Sequence, residues 1–404
     1  MRHAFVRSLL PGAVAVGLGA AAGTALAVPA MATTSAPTAS SDSTVYVSMH
    51  GTAAAVDASC GTAAYKSIGA AVSAVARGGK VLVCGGTYHE DVTVTKPLSL
   101  LGRPNTVVDA AGQINGILVT APNVTVSRFR VTNATGEGVL VRSADHVTIE
   151  GNVVTHNNLG GLPVNPVPNT YAECQPVGEI PGDCGEGIHL MGSSYSTVRD
   201  NVSTGNSGGI LLSDETGPAA HNQIAGNVVT GNLLDCGITV VGHNPNAAPG
   251  GVPAPQAAGV YANDIEGNRI SGNGINGGGA GIVLATGLPG EAVYGNTVRG
   301  NWISGNGMSG VTVHSHVPGQ FLNGNVITRN VIGVNNLIGD SDFAPHVDNQ
   351  TTGVLVGTVS PLSVAVSDNV IAHDHFGIWT TGPVTVAGEL DNSFAGDAVA
   401  VTQG

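Results

Sequence analysis

The sequence predicts an all-β solenoid, a parallel β-helix of short stacked coils, and three observations carry that expectation. Glycine makes up 60 of 404 residues, while only 10% are charged and 4% aromatic. From residue 116 the chain restarts on one phrase: Gly, then Ile or Val, any residue, and usually a second aliphatic. It reads GILVT at 116, GVLVR at 138, GIHLM at 187, GILLS at 209, GITVV at 237, GIVLA at 281, GVTVH at 310, GVLVG at 353 and a weaker GIWTT at 377. Between the restarts lies a second phrase, an aliphatic three residues ahead of an Asn, with another Asn five residues on. IEGNVVTHN (149–157), IAGNVVTGN (224–232) and VRGNWISGN (298–306) are examples, and VSDNVIAHD (366–374) ends the series with Asp374 in the second Asn's place.

Helices tolerate this much glycine poorly, and disordered chains are not so rich in Val and Ile. The closest restarts, 116 to 138 and 187 to 209, are 22 residues apart. One such unit holds short strands alternating in and out, and it cannot bury its own aliphatics. Stacked units can, as a continuous apolar column. Asn at a fixed turn position can hydrogen-bond to the Asn of the next coil, and it tolerates left-handed backbone.

Taken in order, residues 1–32 read as a secretory signal peptide. Arg2 and Arg7 precede a long apolar run, with small residues at 25–27 and 30–32 for cleavage. Residues 33–44 are a polar linker. Residues 45–115 hold an N-terminal cap and the first coils: Ile68, Ala71, Val72 and Val75 share one face of a short capping helix that plugs the open end of the stack. Residues 116–404 form the repeat domain. Insertions at 158–184, 243–260 and 336–350 are rich in Pro, Gly and Asn and read as rim loops. No later segment is apolar for long enough to span a bilayer.

The formal charge of −13 argues against nucleic acid and anionic membranes as partners, and it weighs against a polyanionic substrate. Five cysteines in a secreted chain suggest two bridges and one odd residue. Cys60 with Cys84 would staple the cap, Cys174 with Cys184 would close an insertion, and Cys236 would be buried as a small apolar residue.

At this level the chain resembles the right-handed parallel β-helix superfamily, the pectin-lyase-like and NosD-like repeat proteins, across residues 116–398. Residues 60–102 resemble that superfamily's N-terminal cap and first coil. GTYHEDVTV (86–94) is similar to the opening of pectin methylesterases, but that family's Gln-Asp pair and Asp-Phe-Ile-Phe-Gly run are absent. The galacturonases' Asp-Asp pair is missing too, as is the alginate epimerases' Asp-Pro-His-Asp run, and no lysine follows Lys96. The resemblance implies the fold and a class of function, without one family's activity.

With the Gly of each restart as position zero, positions two and four face outward and five and six lie in the turn. Coils about 4.8 Å apart bring equal positions together. Polar residues then cluster: Arg142, His189, Asp214, Glu215, His243, His314 and His316. Glu215, His243 and His316 share one column, with His316 the better candidate of the histidine pair. We expect His243 or His316 as general base, Asp214 and Glu215 as acid or metal ligands, and His189 as a further catalytic group that, with Arg142, binds or neutralises substrate. His314 and Trp379 would add substrate contacts. Glu137 and Glu186, just ahead of the zero Gly in adjacent coils, with Asp183 nearby, share a proton, hold Ca²⁺ or splay into solvent. The functional expectation is a secreted polysaccharide lyase, or an epimerase or hydrolase, with its glycan in a lateral groove. A carbohydrate-binding cell-surface rod and an extracytoplasmic metal-handling protein are the alternatives.

Overall fold

The structure, a computed structural model, describes residues 44–50, 59–158, 185–244, 247, 259–340 and 347–404. All belong to one compact unit, Ala39–Gly404. The expected signal peptide, most of the expected linker, Asp183 and the expected Cys174–Cys184 bridge lie outside the described residues.

Each coil contributes a strand to each of three parallel sheets. Sheet I begins at Val92–Val94 and ends at Val399–Gln403, with 11 strands. Sheet II has 12, from Thr44–Val47 to Val384–Ala387, and sheet III has 11, from Gly86–Tyr88 to Ser393–Ala395. A fourth, three-stranded ribbon, with Ala219–Ala220 as its first strand, sits on the corner between sheets I and II. Chain order within a coil is I, II, III, then up one rung. The restart phrase forms the sheet I strands, and the Asn phrase spans sheets II and III.

The interior is a single column of Val, Ile and Leu. Ile210, Ile238, Ile282 and Val311 stack from sheet I, Ile224, Ile265 and Val298 from sheet II, and Val229, Ile270 and Ile303 from sheet III. The zero Gly of each coil lies where these columns crowd the backbone. A Cβ on Gly281 would stand 2.4 Å from Ile303 Cγ2 and 2.5 Å from the Gly310 carbonyl oxygen. Absence of a side chain, rather than turn conformation, is what the repeat selects there.

Three ladders of buried amides mark the corners. At the II–III corner the series runs Asn152, Asn201, Asn227, Asn268, Asn301, Asn330, Asn369, Asn392. Each rung repeats one pattern. Asn201 donates its backbone N–H and its side-chain amide to Asn227 Oδ1 at 3.0 and 3.1 Å, and Asn227 Nδ2 donates to the Val198 carbonyl at 2.9 Å. A second ladder, from Asn157 to Asn335, lines the III–I corner, and a third, from Asn222 to Asn325, the I–II corner. The left-handed backbone expected at Asn belongs instead to the residue before it, as at Gly151, Gly226, Gly267 and Gly300. Outside the third ladder, His146, Tyr195, His221, Tyr261, Tyr294 and Phe321 stack in a row, with ring centroids 4.9–5.7 Å apart.

The helix Ile68–Ala74 closes the N-terminal end, burying Ile68, Ala71 and Val72. Ser67 and the Glu90 carboxylate accept its first N–H groups. Cys60 and Cys84 are bridged, and Cys236 is buried, its sulfur accepting the Ala280 N–H. Among the described residues no helix is long and apolar enough to cross a membrane.

Two outcomes test the ladders. Asn268→Ala strands the amide groups of Asn227 and the Ile224 carbonyl, and should cost about 3 kcal/mol or more in urea unfolding. Val370→Ala, on a side chain 42% exposed, should stay within about 0.5 kcal/mol. The second concerns Asp374, which continues the second ladder by accepting the Asn335 N–H while Asp397 accepts its own. Its Oδ2, in the place of an amide nitrogen, has no hydrogen-bond partner among the described residues. Burial, then the charges of Asp397 and Asp348, lift it to about 7 against the pull of the Asn335 N–H. A folded pKa above the unfolded one means stability that is present below about pH 4 and lost as pH rises through about 7. Asp374→Asn should therefore raise the melting temperature at pH 8 and leave it nearly unchanged at pH 4.

Candidate functional site

The outward positions of sheet I carry every candidate residue that the sequence singled out on the restart strands. Strand register fixes their neighbours. His189 lies between Leu140 and Leu211, Ser213 between Met191 and Val241, and His314 between Ala285 and Gly357. These side chains do not stand in solvent as a groove lining would. Glu137, Glu186, His189, Asp214, His243 and His314 are all at most 5% exposed. Leu211, Cys236, Val241, Ala280, Val283 and Ala285 form a second apolar cluster on this outer face, separate from the interior column.

Within this buried layer a chain of hydrogen bonds crosses four coils. Glu137 Oε1 meets His189 Nδ1 at 3.0 Å, and His189 Nε2 meets Ser213 Oγ at 2.6 Å. Ser213 donates to Glu215 Oε2, and Glu215 Oε1 meets His243 Nδ1 at 3.0 Å. Proton bookkeeping limits its states. A hydroxyl has one proton, and Ser213 gives it to Glu215, so His189 Nε2 must donate to Ser213. A proton also lies between His189 Nδ1 and Glu137. Glu137, His189 and Ser213 have the order of an orienter, base and nucleophile, but the serine proton points away from the histidine. Activation of Ser213 would require the reverse.

Glu215 is held below the usual carboxylate range. Burial works against its charge, but the His243 hydrogen bond and charge, the His189 charge and the Ser213 hydroxyl together outweigh that. Asp214 goes the other way, to about 6, lifted by burial against the backbone N–H groups of His243 and Gly259, which its two oxygens accept at 2.7 and 2.8 Å. That bonding makes Asp214 an anchor for the turn rather than a group aimed at substrate.

The structure thus brings together Glu215 and His243 as expected, and links them to His189 and Glu137. His316 lies in the same column two coils from His243, too far to touch it. The intervening coil puts Gly287 at the same position, and His316 instead packs its half-buried ring against His314, centroids 4.6 Å apart. Arg142 is half-buried at the end of Val139–Arg142. Trp379 offers no stacking face. It is 8% exposed, flanked by Leu355 and Thr402, and the chain end covers it so closely that a Cβ on Gly404 would lie 2.7 Å from the indole nitrogen.

Two participants escaped the sequence reading. Ser213 occupies outward position four of its coil, a signal passed over beside the charged Asp214 and Glu215. Glu291 had no signal, being a single carboxylate in a turn. It is 2% exposed, its Oε2 accepts the N–H groups of Gly287 and Leu288 at 2.7 Å, and its Cβ lies against Gly242. Burial raises it to about 7, against those N–H groups and the His243 charge.

Glu137, Glu186 and His189 each offer one ligand atom within 4.8 Å of the others. Two carboxylates and an imidazole suit a borderline divalent ion such as Zn²⁺ or Mn²⁺; Ca²⁺, which takes oxygen ligands, would use only part of the set. A metal there would have to displace the proton between Glu137 and His189.

Breaking the chain at its middle is the direct test of its integrity. Ser213→Ala leaves His189 Nε2 and Glu215 Oε2 buried without their shared hydroxyl, and should cost about 2–3 kcal/mol in denaturant unfolding.

Residues 115–252 match the family described as "Right handed beta helix region", and residues 237–401 match "Periplasmic copper-binding protein (NosD)". Among solved structures, the A-module of a mannuronan C-5 epimerase from Azotobacter vinelandii is similar at 15% identity and a TM-score of 0.52, over 80% of this chain and 88% of that one. An alginate lyase from Paenibacillus sp. is similar at 14% identity and 0.46, over 79% and 96%, and the pectate lyase Pel9A at 18% and 0.46, over 88% and 79%. At these identities the likeness is one of fold. No protein of curated function matches the sequence.

Proposed function

We propose that this right-handed parallel β-helix, of the superfamily that includes the pectin-lyase-like and NosD-like repeat proteins, is a polysaccharide-active enzyme of lyase type working outside the cytoplasm. The observation that carries the reading is the buried acid–base chain on sheet I that ends in the Glu215–His243 pair beside Glu291. The Cys60–Cys84 bridge suits an oxidising compartment.

β-Elimination from a uronate polymer needs a base to take the proton α to the carboxylate and an acid to protonate the departing glycosidic oxygen. Glu215 holds His243 at Nδ1, so proton exchange falls to Nε2, the arrangement of an oriented base. Glu291, protonated below about pH 7 and packed against the residue preceding His243, is the acid. His189 and Glu137 position Glu215 through Ser213. His243 and Glu215 side chains are 3% and 6% exposed, so admitting a polymer requires the residues above them to move. A C-5 epimerase would use the same proton abstraction without bond cleavage.

The cluster of Glu137, Glu186 and His189 favours a second reading, in which the chain handles a divalent cation. It lies in coils outside the NosD-matched residues, and its oxygen-rich donors do not suit Cu(I).

The test is a panel of acidic and neutral polysaccharides, scored for new reducing ends and for absorbance of an unsaturated uronate, with EDTA and with added Ca²⁺ or Zn²⁺. Both signals should rise together. His243→Ala and Glu291→Gln should each lower kcat by about 10²-fold or more, and activity should fall as pH rises through about 7, when Glu291 loses its proton. Reducing ends without absorbance would make the enzyme a hydrolase, and a folded, silent protein would leave a glycan-binding rod. A metal requirement lost in Glu186→Gln would assign the cation to that cluster, and indifference to metal would remove it.

A further inference from the structure

A cavity of about 650 Å³ opens at the II–III corner of the first coils, away from the outer face of sheet I. Its origin is a turn length. The strands Thr125–Ser127 and Arg130–Thr132 are joined by two residues, as are Thr148–Glu150 and Val153–Thr155, but Ser99–Gly102 and Thr106–Asp109 are joined by three, Arg103–Pro104–Asn105. In register, Leu101 pairs with Ser127 and Val107 with Arg130, so five residues, 102–106, span the corner where the next coil uses two, Arg128 and Phe129. Beneath it the chain packs tightly. A Cβ on Gly102 would lie 2.3 Å from the Arg128 carbonyl oxygen, and buried Phe129 stands where later coils place a ladder Asn, its N–H donated to Asn152 Oδ1. Leu82, Leu101 and Phe129 line the hollow, and Arg103, Arg128 and Arg130 ring it.

The three arginines set this cavity apart. The protein carries 14 Lys and Arg against 27 Asp and Glu, and two of its arginines are neutralised by neighbouring acids. Arg199 pairs with Glu150 and Asp200, and Arg299 with Asp264 and Glu266. Arg103, Arg128 and Arg130 make no ion pair among the described residues, and no acid lines the cavity. Glu150, which adjoins the lining residue Gly151, is taken by Arg199. Guanidinium groups over an apolar floor are complementary to an oxyanion, carboxylate or sulfate, carried on a ring with an apolar face. The volume is within the roughly 300–1,000 Å³ usual for small-ligand sites.

We infer that this cavity is an anion-recognition site for a carboxylate- or sulfate-bearing sugar residue, which anchors an acidic glycan at the N-terminal end of the solenoid. The inference goes beyond the chemistry on sheet I and does not depend on it. It also locates positive charge for an acidic chain on a protein whose net charge would repel one.

The experiment is calorimetric titration of the full chain with trigalacturonate, a sulfated trisaccharide, neutral maltotriose and inorganic sulfate, at low and high salt. An acidic trisaccharide should bind, more weakly as salt rises, and maltotriose should not. The relative affinities of the two acidic sugars distinguish carboxylate from sulfate as the group recognised. Arg103→Ala/Arg130→Ala should weaken binding at least tenfold. Arg128→Gly separates binding from folding. Arg128 holds a left-handed φ of 64°, where Gly151 and Gly226 stand in later coils, so glycine there should keep the melting temperature at or above wild type while affinity falls several-fold. His243→Ala should bind as wild type does, whatever its effect on turnover. Absence of binding by either acidic sugar, affinity unchanged in the arginine variants, or inorganic sulfate binding as tightly as the sugars would each overturn the proposal.

Discussion

Buried amide ladders set the register on which the rest of this structure depends. A β-helix made only of Val, Ile and Leu columns could slide, because one aliphatic packs on another almost as well after a shift. An asparagine inside the stack cannot. Its oxygen must receive two N–H groups from one neighbouring coil and its amide must reach a carbonyl, and leaving any of these unmade inside the protein costs about 1–3 kcal/mol each. Ladders at all three corners therefore fix each coil on the next. The outward columns of sheet I inherit that register, which is why Glu215 meets His243 at hydrogen-bond distance across coils whose joining residues differ in length and composition.

The same logic explains how much the sequence disclosed. The restart phrase and the Asn phrase are periodic because the interior is periodic, so the parallel β-helix, its capping helix and the Cys60–Cys84 bridge were legible. The neighbourhood of Glu215 and His243 was legible too, since equal positions in successive coils must touch. Exposure was not. Alternation tells which residues leave the core, but whether that outer face meets water depends on what lies over it, and no periodic signal encodes that. His189 and His314 alternate outward and are still buried, and Trp379 lies under the chain terminus. His243 and His316 share a column as read, but Gly287 occupies the coil between them, so the two imidazoles do not meet. Ser213 and Glu291 needed coordinates, one because a serine among charges carries no pattern, the other because it sits in a turn.

Burying carboxylates and imidazoles on a sheet face is expensive, and apolar residues would cover it more cheaply. The neighbouring coils make the comparison within one molecule. Leu211, Val241, Val283 and Ala285 occupy outward positions of the same sheet with no polar partners to satisfy. Glu137, His189, Ser213, Glu215 and His243 hold equivalent ground only by forming an unbroken chain in which each proton is placed. Stability alone does not favour that choice over leucine, and the proposed proton transfer would account for it. Glu215, held ionised against His243, and Glu291, lifted toward neutrality, shift in opposite directions, which is what the proposed pairing of His243 as base with Glu291 as acid would use.

Charge placement argues in the same direction from the other side of the molecule. A uniformly acidic surface would repel an acidic glycan, and on sheet II Arg199 and Arg299 are already neutralised by ion pairs. Arg103, Arg128 and Arg130 make no such pair among the described residues, and they ring a hollow at the longer II–III corner of the first coils. Attraction confined to the first coils would fix one end of a polymer while the negative remainder of the solenoid keeps it from adhering along its length. Such a chain would be held at one point and remain free to move past the acid–base groups on sheet I, which suits an enzyme that must release one segment before taking the next.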